Sequence, residues 1–289
     1  MKRLDRTEII FKILAYVLLT VFALCCLYPF VFLLANSISS KAATDAAKIT
    51  IIPDAFNFAA YEYAFGEKDF WIAYCNSFFV TMYGTLVSML VAICGAYALS
   101  KSRLLFGRGF NFMLVFTMWF NAGLIPTLNN FQTFHVENIY MYIIALGFSP
   151  FNIVLLRNYF SSISTEIEEA ATIDGATEFQ ILTKVYIPMS KSSIVTVAMF
   201  YAVSRWNGYL WAQMLLTPDN HPLTVYIRRT IEDFVLRMED DPAVASMYDF
   251  SVYSIRYAFI VCSIIPIIII YPKLQKYFAA GVNVGGVKE

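Results

Sequence analysis

Residues 164–188 read STEIEEAATIDGATEFQILTKVYIP, a polar stretch set between two long apolar ones. Thr165 and Glu168 have the spacing of a capping box, in which a hydroxyl and a carboxylate satisfy the unpaired amides at a helix start. Glu166, Glu168 and Glu169 crowd that first turn, where the helix dipole favours negative charge. Gly175 supplies the left-handed stop common at helix C-termini. Thr177 and Gln180 repeat the capping pattern at once, so a second helix begins. Pro188 either ends that helix or opens the next. The spacing predicts two short helices with a tight elbow at Asp174-Gly175-Ala176. Ala170 and Ala171 keep the first helix slim, so another surface can approach closely.

Outward from this hairpin the chain turns apolar. Residues 13–40, 70–100, 109–136, 138–156 and 257–272 contain no Asp, Glu, Lys or Arg, and 192–218 is broken only by Arg205. The 289 residues are 59% hydrophobic and 15% charged, with mean hydropathy +0.61. Soluble domains carry about 25% charged residues, so the chain reads as an all-α membrane protein. A spanning helix needs about 20 mainly apolar residues. That predicts six spans, near 13–35, 75–99, 110–127, 139–156, 193–216 and 254–271, with Val252–Ile255 extending the last. The first apolar stretch starts after Lys2 and Arg3, as a signal peptide would. Its length exceeds a signal core and favours a retained helix.

Orientation follows the Lys/Arg bias. With residues 1–12 inside, the inner segments hold thirteen Lys and Arg, against seven in the longer outer segments. The bias predicts both ends inside, with the 164–188 hairpin and the 272–289 tail on the cytoplasmic face. The tail ends in a Gly-rich stretch, 281–289, expected to be extended. The net charge of zero argues against nucleic acid as a partner.

Two outer segments separate the spans. Residues 36–74 carry Pro53 and the aromatics Phe56, Phe58, Tyr61, Tyr63, Phe65, Phe70 and Trp71, which suit a membrane interface or a partner surface. Residues 217–253 open on the turn signal Pro218-Asp219-Asn220, and Thr224–Leu236 has the pattern of a short amphipathic helix. In span two, Gly84, Gly95 and Ala96 would let neighbouring helices come close.

The hairpin resembles the EAA loop of permease subunits in ABC importers served by a substrate-binding protein. The resemblance rests on Glu169-Ala170-Ala171, then Asp174-Gly175-Ala176, then Ile187-Pro188. It covers most of the chain, is strongest over 157–210, and points to the carbohydrate-uptake branch. It implies a type I importer permease fold in which this loop is the coupling helix, seated in a cleft of the ATPase subunit. The docking set it implies is Glu168, Glu169, Ala170, Ala171, Asp174, Gly175, Ala176 and Pro188. Many relatives carry a second proline where this chain has Ser192, which bears on the entry angle of the next span and not on docking. The implied partners are a second, unlike permease, two ATPase subunits that bind ATP and Mg, an extracellular solute-binding protein, carbohydrate and lipid. The implied location is a bacterial cell membrane.

The chemistry absent from the sequence agrees with that role. No Gly-x-x-x-x-Gly-Lys-Ser/Thr loop occurs, so ATP binding belongs to another chain. His135 and His221 sit in separate outer loops without metal-ligand spacing. Cys25, Cys26, Cys75, Cys94 and Cys262 also lack it and read as small buried apolar residues. No span carries the row of acids an ion-coupled transporter would use, and Arg205 alone is an intramembrane charge.

Trp206 and Asn207, a pair that recurs in the carbohydrate permeases the chain resembles, are candidates for facing the solute. Tyr201, Ser204 and Trp211 gather with them, and Trp119, Asn121 and Asn152 lie in spans three and four. Aromatic faces flanked by amides suit sugars. The same residues also serve as interface anchors or interhelical bonds. Arg205 either binds an anionic sugar or pairs with a neighbouring carbonyl. Two other classes remain: a permease for a different polar solute, and an ion-coupled secondary transporter. An integral-membrane enzyme lacks any cluster of catalytic residue types at a membrane face.

Overall fold

The computed structural model describes residues 6–282, and their regular structure is helical apart from one isolated antiparallel bridge, Ser39–Phe56. The helices in chain order are α1 (Arg6–Ser37), α2 (Lys41–Asp45), α3 (Ala59–Gly66), α4 (Lys68–Ser100), α5 (Gly107–Trp119), α6 (Leu124–Thr133), α7 (Ile139–Ala145), α8 (Pro150–Phe160) and α9 (Thr165–Ile173). They continue with α10 (Glu178–Ile181), α11 (Ile187–Met189), α12 (Lys191–Trp206), α13 (Leu210–Leu215), α14 (Leu223–Asp240), α15 (Pro242–Met247) and α16 (Val252–Val282). The tail's expected extended stretch begins at 281. Residues 281 and 282 instead finish α16, and 283–289 lie outside the described residues.

Among the described residues, α1, α4 and α16 are each long and apolar enough to cross a membrane. Two further pairs qualify if each bent pair is one span: α5 with α6, bent by 118°, and α7 with α8, bent by 53°. The run expected as a span near 110–127 is divided between α5 and α6. Residues 120–123 break it, Gly123 has φ +90°, and Asn121 Oδ1 accepts the Gly123 amide at 2.9 Å. Pro126 lies in the first turn of α6, where proline is tolerated. The 139–156 run breaks where Ser149 caps a new helix that has Pro150 at its start. The 193–216 run divides between α12 and α13.

The chain forms two compact units. One comprises residues up to Phe70 together with Ile227–Pro266, and the other Trp71–Tyr226 with the segment from Ile267. In the first, the outer segments supply an aromatic core. The Tyr63 ring lies 5.3 Å from Phe234, 5.8 Å from Tyr248 and 5.4 Å from Phe250. Phe70 stacks on Phe259 at 5.7 Å. Polar ties accompany these rings: Lys41 Nζ donates to the Tyr248 carbonyl at 2.9 Å and Asn57 to the Asp249 carbonyl at 2.6 Å. Several of the aromatics expected to face a membrane or partner, Tyr63 and Phe70 among them, thus pack internally, whereas Phe56 and Phe58 are exposed.

The second unit holds the hairpin and two apolar clusters. One gathers Ala92, Ala96, Ile153, Leu156, Phe160, Ile181, Tyr186 and Val197. The small residues Ala92 and Ala96 let α8 approach α4, as expected of small residues between membrane helices. The other cluster gathers Val80, Ile143, Ala212, Leu216 and Val225. Ser77 Oγ accepts the Leu223 amide at 2.7 Å and so fixes the start of α14 to α4. Of the five cysteines only Cys262 is buried within the chain, and the other four are exposed. The expectation of buried cysteines fails there because apolar faces of a membrane chain need no internal cover: hydrocarbon solvates them as well as a core would.

Candidate functional site

The elbow follows from local chemistry. Gly175 has φ +80°. Its amide bonds to the Thr172 carbonyl at 3.0 Å and the Ala176 amide to the Ala171 carbonyl at 3.0 Å, the paired bonds of a Schellman motif. Thr177 and Gln180 form the predicted capping box, with the Thr177 amide on Gln180 Oε1 at 2.9 Å and the Gln180 amide on Thr177 Oγ1 at 3.4 Å. The first capping box is corrected. Ser164 caps α9, its hydroxyl accepting the Glu166 amide at 3.3 Å, and Thr165 is already helical. Of the two roles expected for Pro188, it takes the second, lying in the first turn of the short helix α11. A π-helical turn, Leu182–Tyr186, precedes it, and α11 runs through it towards α12. The wider turn adjoins the one residue that has no amide to donate.

Glu168 leaves the cap because a stronger partner holds it. Its Oε2 lies 2.6 Å from Lys101 Nζ and accepts the Tyr186 hydroxyl at 2.7 Å. The Lys101 ammonium sits 4.1 Å from the ring centroids of both Tyr97 and Tyr186. Arg103 pairs with Glu178 and reaches Glu168 at 3.5 Å, and Tyr97 donates to Glu178 Oε2 at 2.7 Å. A cleft of about 510 Å³ opens beside this cluster, lined in part by Lys101, Arg103, Glu168, Glu169 and Tyr186.

Burial alone would raise the Glu168 pKa. The hydrogen bonds from Lys101 and Tyr186 and the charges of Lys101 and Arg103 outweigh it and hold the carboxyl below its ordinary value. Burial, then the bond given to Glu168, pushes the Tyr186 hydroxyl above the ordinary tyrosine range. A carboxyl with a depressed folded pKa contributes stability above its unfolded value, near about 4.3, and loses it as pH falls through the folded one. A tyrosine with a raised folded pKa contributes below about 10 and loses it as pH rises through the folded value. The distance between spin labels on α9 and at the end of α4 is therefore expected to hold steady between about pH 5 and pH 9 and to spread in acid below the carboxylate range.

Away from the cluster the hairpin is open. Glu169, Ala170, Asp174 and Gly175 are exposed, while Glu168, Ala171 and Ala176 are half-buried. On either side of the elbow Ile173 and Phe179 stand 85% and 73% exposed, unusual for large apolar residues on a polar loop.

The polar residues between the apolar helices divide into two groups. Asn152, Tyr201, Ser204, Arg205 and Trp211 line one cavity of about 370 Å³ with Tyr142 and Ser149. Trp206, Asn207, Trp119 and Asn121 are not among its walls. Trp206 is buried edge-on against Phe78 at 5.3 Å and Tyr74 at 6.1 Å. Asn207 is exposed at the end of α12, and Trp119 is 81% exposed at the end of α5.

Arg205 Nη2 donates to the Ser88 hydroxyl at 3.1 Å and to the Ile143 carbonyl at 3.2 Å. Ile143 lies in the last turn of α7, where a helix end leaves carbonyls unpaired. The arginine therefore satisfies a group that the break after α7 strands in apolar surroundings, which is the carbonyl-pairing alternative raised from the sequence. Gly84 makes room for it, since a Cβ there would lie 3.1 Å from Arg205 Nε and 3.3 Å from Cδ. Gly84→Val is expected to displace the guanidinium and lower stability by about 1–3 kcal/mol, the usual range for overpacking, read as a lower melting midpoint in detergent. Sequence reading missed Lys101, Arg103, Tyr97 and Tyr186 as site residues. The two cations entered only the charge bias, and nothing near them in the sequence marks their partners.

Comparison with known proteins agrees with this architecture. The family model described as binding-protein-dependent transport system inner membrane component matches residues 77–284. The polygalacturonan/rhamnogalacturonan transport system permease protein YtcP of Bacillus subtilis is 33% identical over 281 residues, covering 96% of this chain and 98% of that protein. The arabinooligosaccharides transport system permease protein AraQ of Halalkalibacterium halodurans is 27% identical over 248 residues, 83% of each chain. A chain in the crystal structure of a bacterial ABC transporter involved in the import of the acidic polysaccharide alginate is 43% identical and superposes with TM-score 0.87, covering 96% of this chain and 100% of that one. With a capped polar hairpin set among apolar helices and a family match across most of its length, the chain belongs to the inner membrane components of binding-protein-dependent transport systems.

Proposed function

We propose that this chain is one of two membrane subunits of an ATP-driven importer of oligosaccharide, with uronate-bearing oligosaccharide the favoured solute. The carrying observation is the 164–188 hairpin, whose exposed Glu169, Ala170, Asp174 and Gly175 sit beside the exposed apolar Ile173 and Phe179. Such a surface suits a partner that covers it. In this reading the six predicted spans hold both ends inside. An ATPase subunit, which binds the ATP and Mg, docks on Glu168 to Ala176 with Pro188 at the base. An extracellular binding protein delivers solute to the outer segments, and a second, unlike permease completes the path. ATP binding closes the ATPase pair, the hairpin carries that movement to the spans, and the cavity turns outward; hydrolysis resets it inward. The cavity holding Asn152, Ser204 and Trp211 offers the amide, hydroxyl and aromatic groups that a sugar needs, with Trp206, Asn207, Trp119 and Asn121 proposed further along the path.

The uronate preference is supported by two relatives whose names carry acidic polysaccharides, polygalacturonan and alginate. The test is reconstitution of the assembled transporter with its binding protein in liposomes. ATP-dependent uptake of a labelled oligogalacturonate, several-fold above that of a neutral arabinooligosaccharide, is the expected result. Uptake by this chain alone on an ion gradient would overturn the proposal.

A further inference from the structure

We propose that Lys101 is a positioning residue that locks both arms of the hairpin to the end of α4, so that a push on the hairpin moves α4 rather than bending the loop. The inference rests on the coupling role proposed above and names the residue through which it acts.

Lys101 directly follows α4. Its ammonium meets the first arm through Glu168 Oε2 at 2.6 Å, the second arm through the Tyr186 ring, and α4 itself through the Tyr97 ring, each at 4.1 Å. Three segments distant in sequence thus share one charge. The Tyr186 hydroxyl closes the loop by bonding the same carboxylate oxygen at 2.7 Å.

An ordinary surface ion pair would be a poor lever, because water and side-chain freedom leave it worth little. Arg228–Glu232 in α14 is of that kind, with both side chains more than half exposed. Lys101 differs: its side chain is 9% exposed and that of Glu168 16%. Cation–π contacts strengthen when desolvated, and the planes of the two rings that flank the ammonium lie at 88° to each other, their centroids 5.0 Å apart.

The hairpin would otherwise flex at the root of its first arm. Its own caps fix the elbow, and Ile181, Leu182 and Tyr186 seat the second arm in the apolar cluster with Ala96 and Phe160, but the first arm, α9, contributes no buried residue of its own. The ammonium ties that arm to α4. A second brace lies alongside: Arg103 joins Glu178 and Glu168, although at 59% side-chain exposure it contributes less. Arg157 Nε on the Leu99 carbonyl at 3.4 Å ties α8 to the same end of α4. The end of α4 is therefore where displacement of the hairpin would arrive.

The experiment measures oligogalacturonate molecules imported per ATP hydrolysed by the assembled transporter in liposomes, with copurification of the ATPase subunits followed in parallel. For Lys101→Met the ATPase is expected to remain bound while the import ratio falls by at least about five-fold, the lower end of typical allosteric coupling. Lys101→Arg, which keeps the charge over the rings, should recover most of the ratio. Glu168→Gln, nearly isosteric, should lower it without loss of folding, and the double variant should be no worse than the poorer single one. A wild-type ratio in either single variant, or fully additive losses in the double, would overturn the inference while leaving the coupling role standing. A wild-type transporter whose hairpin binds no ATPase overturns both.

Discussion

Gly175→Val is expected to abolish ATP-driven uptake while the chain still inserts into the membrane. Gly175 has φ +80°, and within this chain a Cβ there would meet nothing within 4 Å. The effect is therefore one of backbone and not of crowding. A β-branched residue at positive φ is a true outlier, and such strain costs about 1–3 kcal/mol. The elbow can relieve it only by giving up the amide bonds of Gly175 and Ala176 to Thr172 and Ala171. Either way Asp174 and Ala176 are re-aimed, and the exposed face changes shape. Asparagine tolerates the left-handed region better than other side chains, so Gly175→Asn should retain much of the activity. Uptake and binding-protein-stimulated ATPase, measured side by side for Val, Asn and wild type, check the order. Equal uptake in Val and wild type would remove the elbow from the mechanism.

Arg205→Met should be the most damaging single change among the apolar helices. It takes the donor from the Ile143 carbonyl and the Ser88 hydroxyl, and a buried group left unpaired costs about 1–3 kcal/mol. Removing a cation that is expensive in lipid offsets part of this. Because the carbonyl is stranded at the break between α7 and α8, the loss should fall on that bend, and melting of the purified transporter should drop. Arg205→Gln separates the two readings of this residue. Its amide can still donate to a carbonyl, so if the arginine is a structural pin, both melting and uptake recover substantially. If the charge attracts an anionic sugar, Arg205→Gln melts normally and yet loses uptake of oligogalacturonate selectively over a neutral oligosaccharide. The observed bonds favour the first outcome.

Where the sequence was legible, the governing interactions were short-range. Gly175 and the Thr177–Gln180 box are set by atoms within five residues, and their chemistry leaves few alternatives. The Thr165–Glu168 box had the same spacing and did not form. Lys101, 67 residues earlier in the chain, offers Glu168 a charge that a backbone amide cannot match, and its pull, with those of Tyr186 and Arg103, outweighs the cost of burying the carboxylate. Uncharged runs marked where apolar helices lie but not where they break. The breaks depend on the turn that Asn121 Oδ1 closes on the Gly123 amide, on the Ser149 cap of α8 and on Arg205 arriving from α12 to satisfy what the bend exposes. Residue type alone marked Trp206 as a sugar platform, and only the packing shows that Phe78 and Tyr74 meet its ring edge-on.

The sequence by itself determined that this is a helical membrane chain with one polar elbow, because hydropathy and capping act over a turn or two of helix. Only the tertiary structure decided what holds that elbow and what stabilises the broken helices. Both depend on buried charges finding partners scores of residues away, and a buried charge takes whichever partner the packing brings within reach.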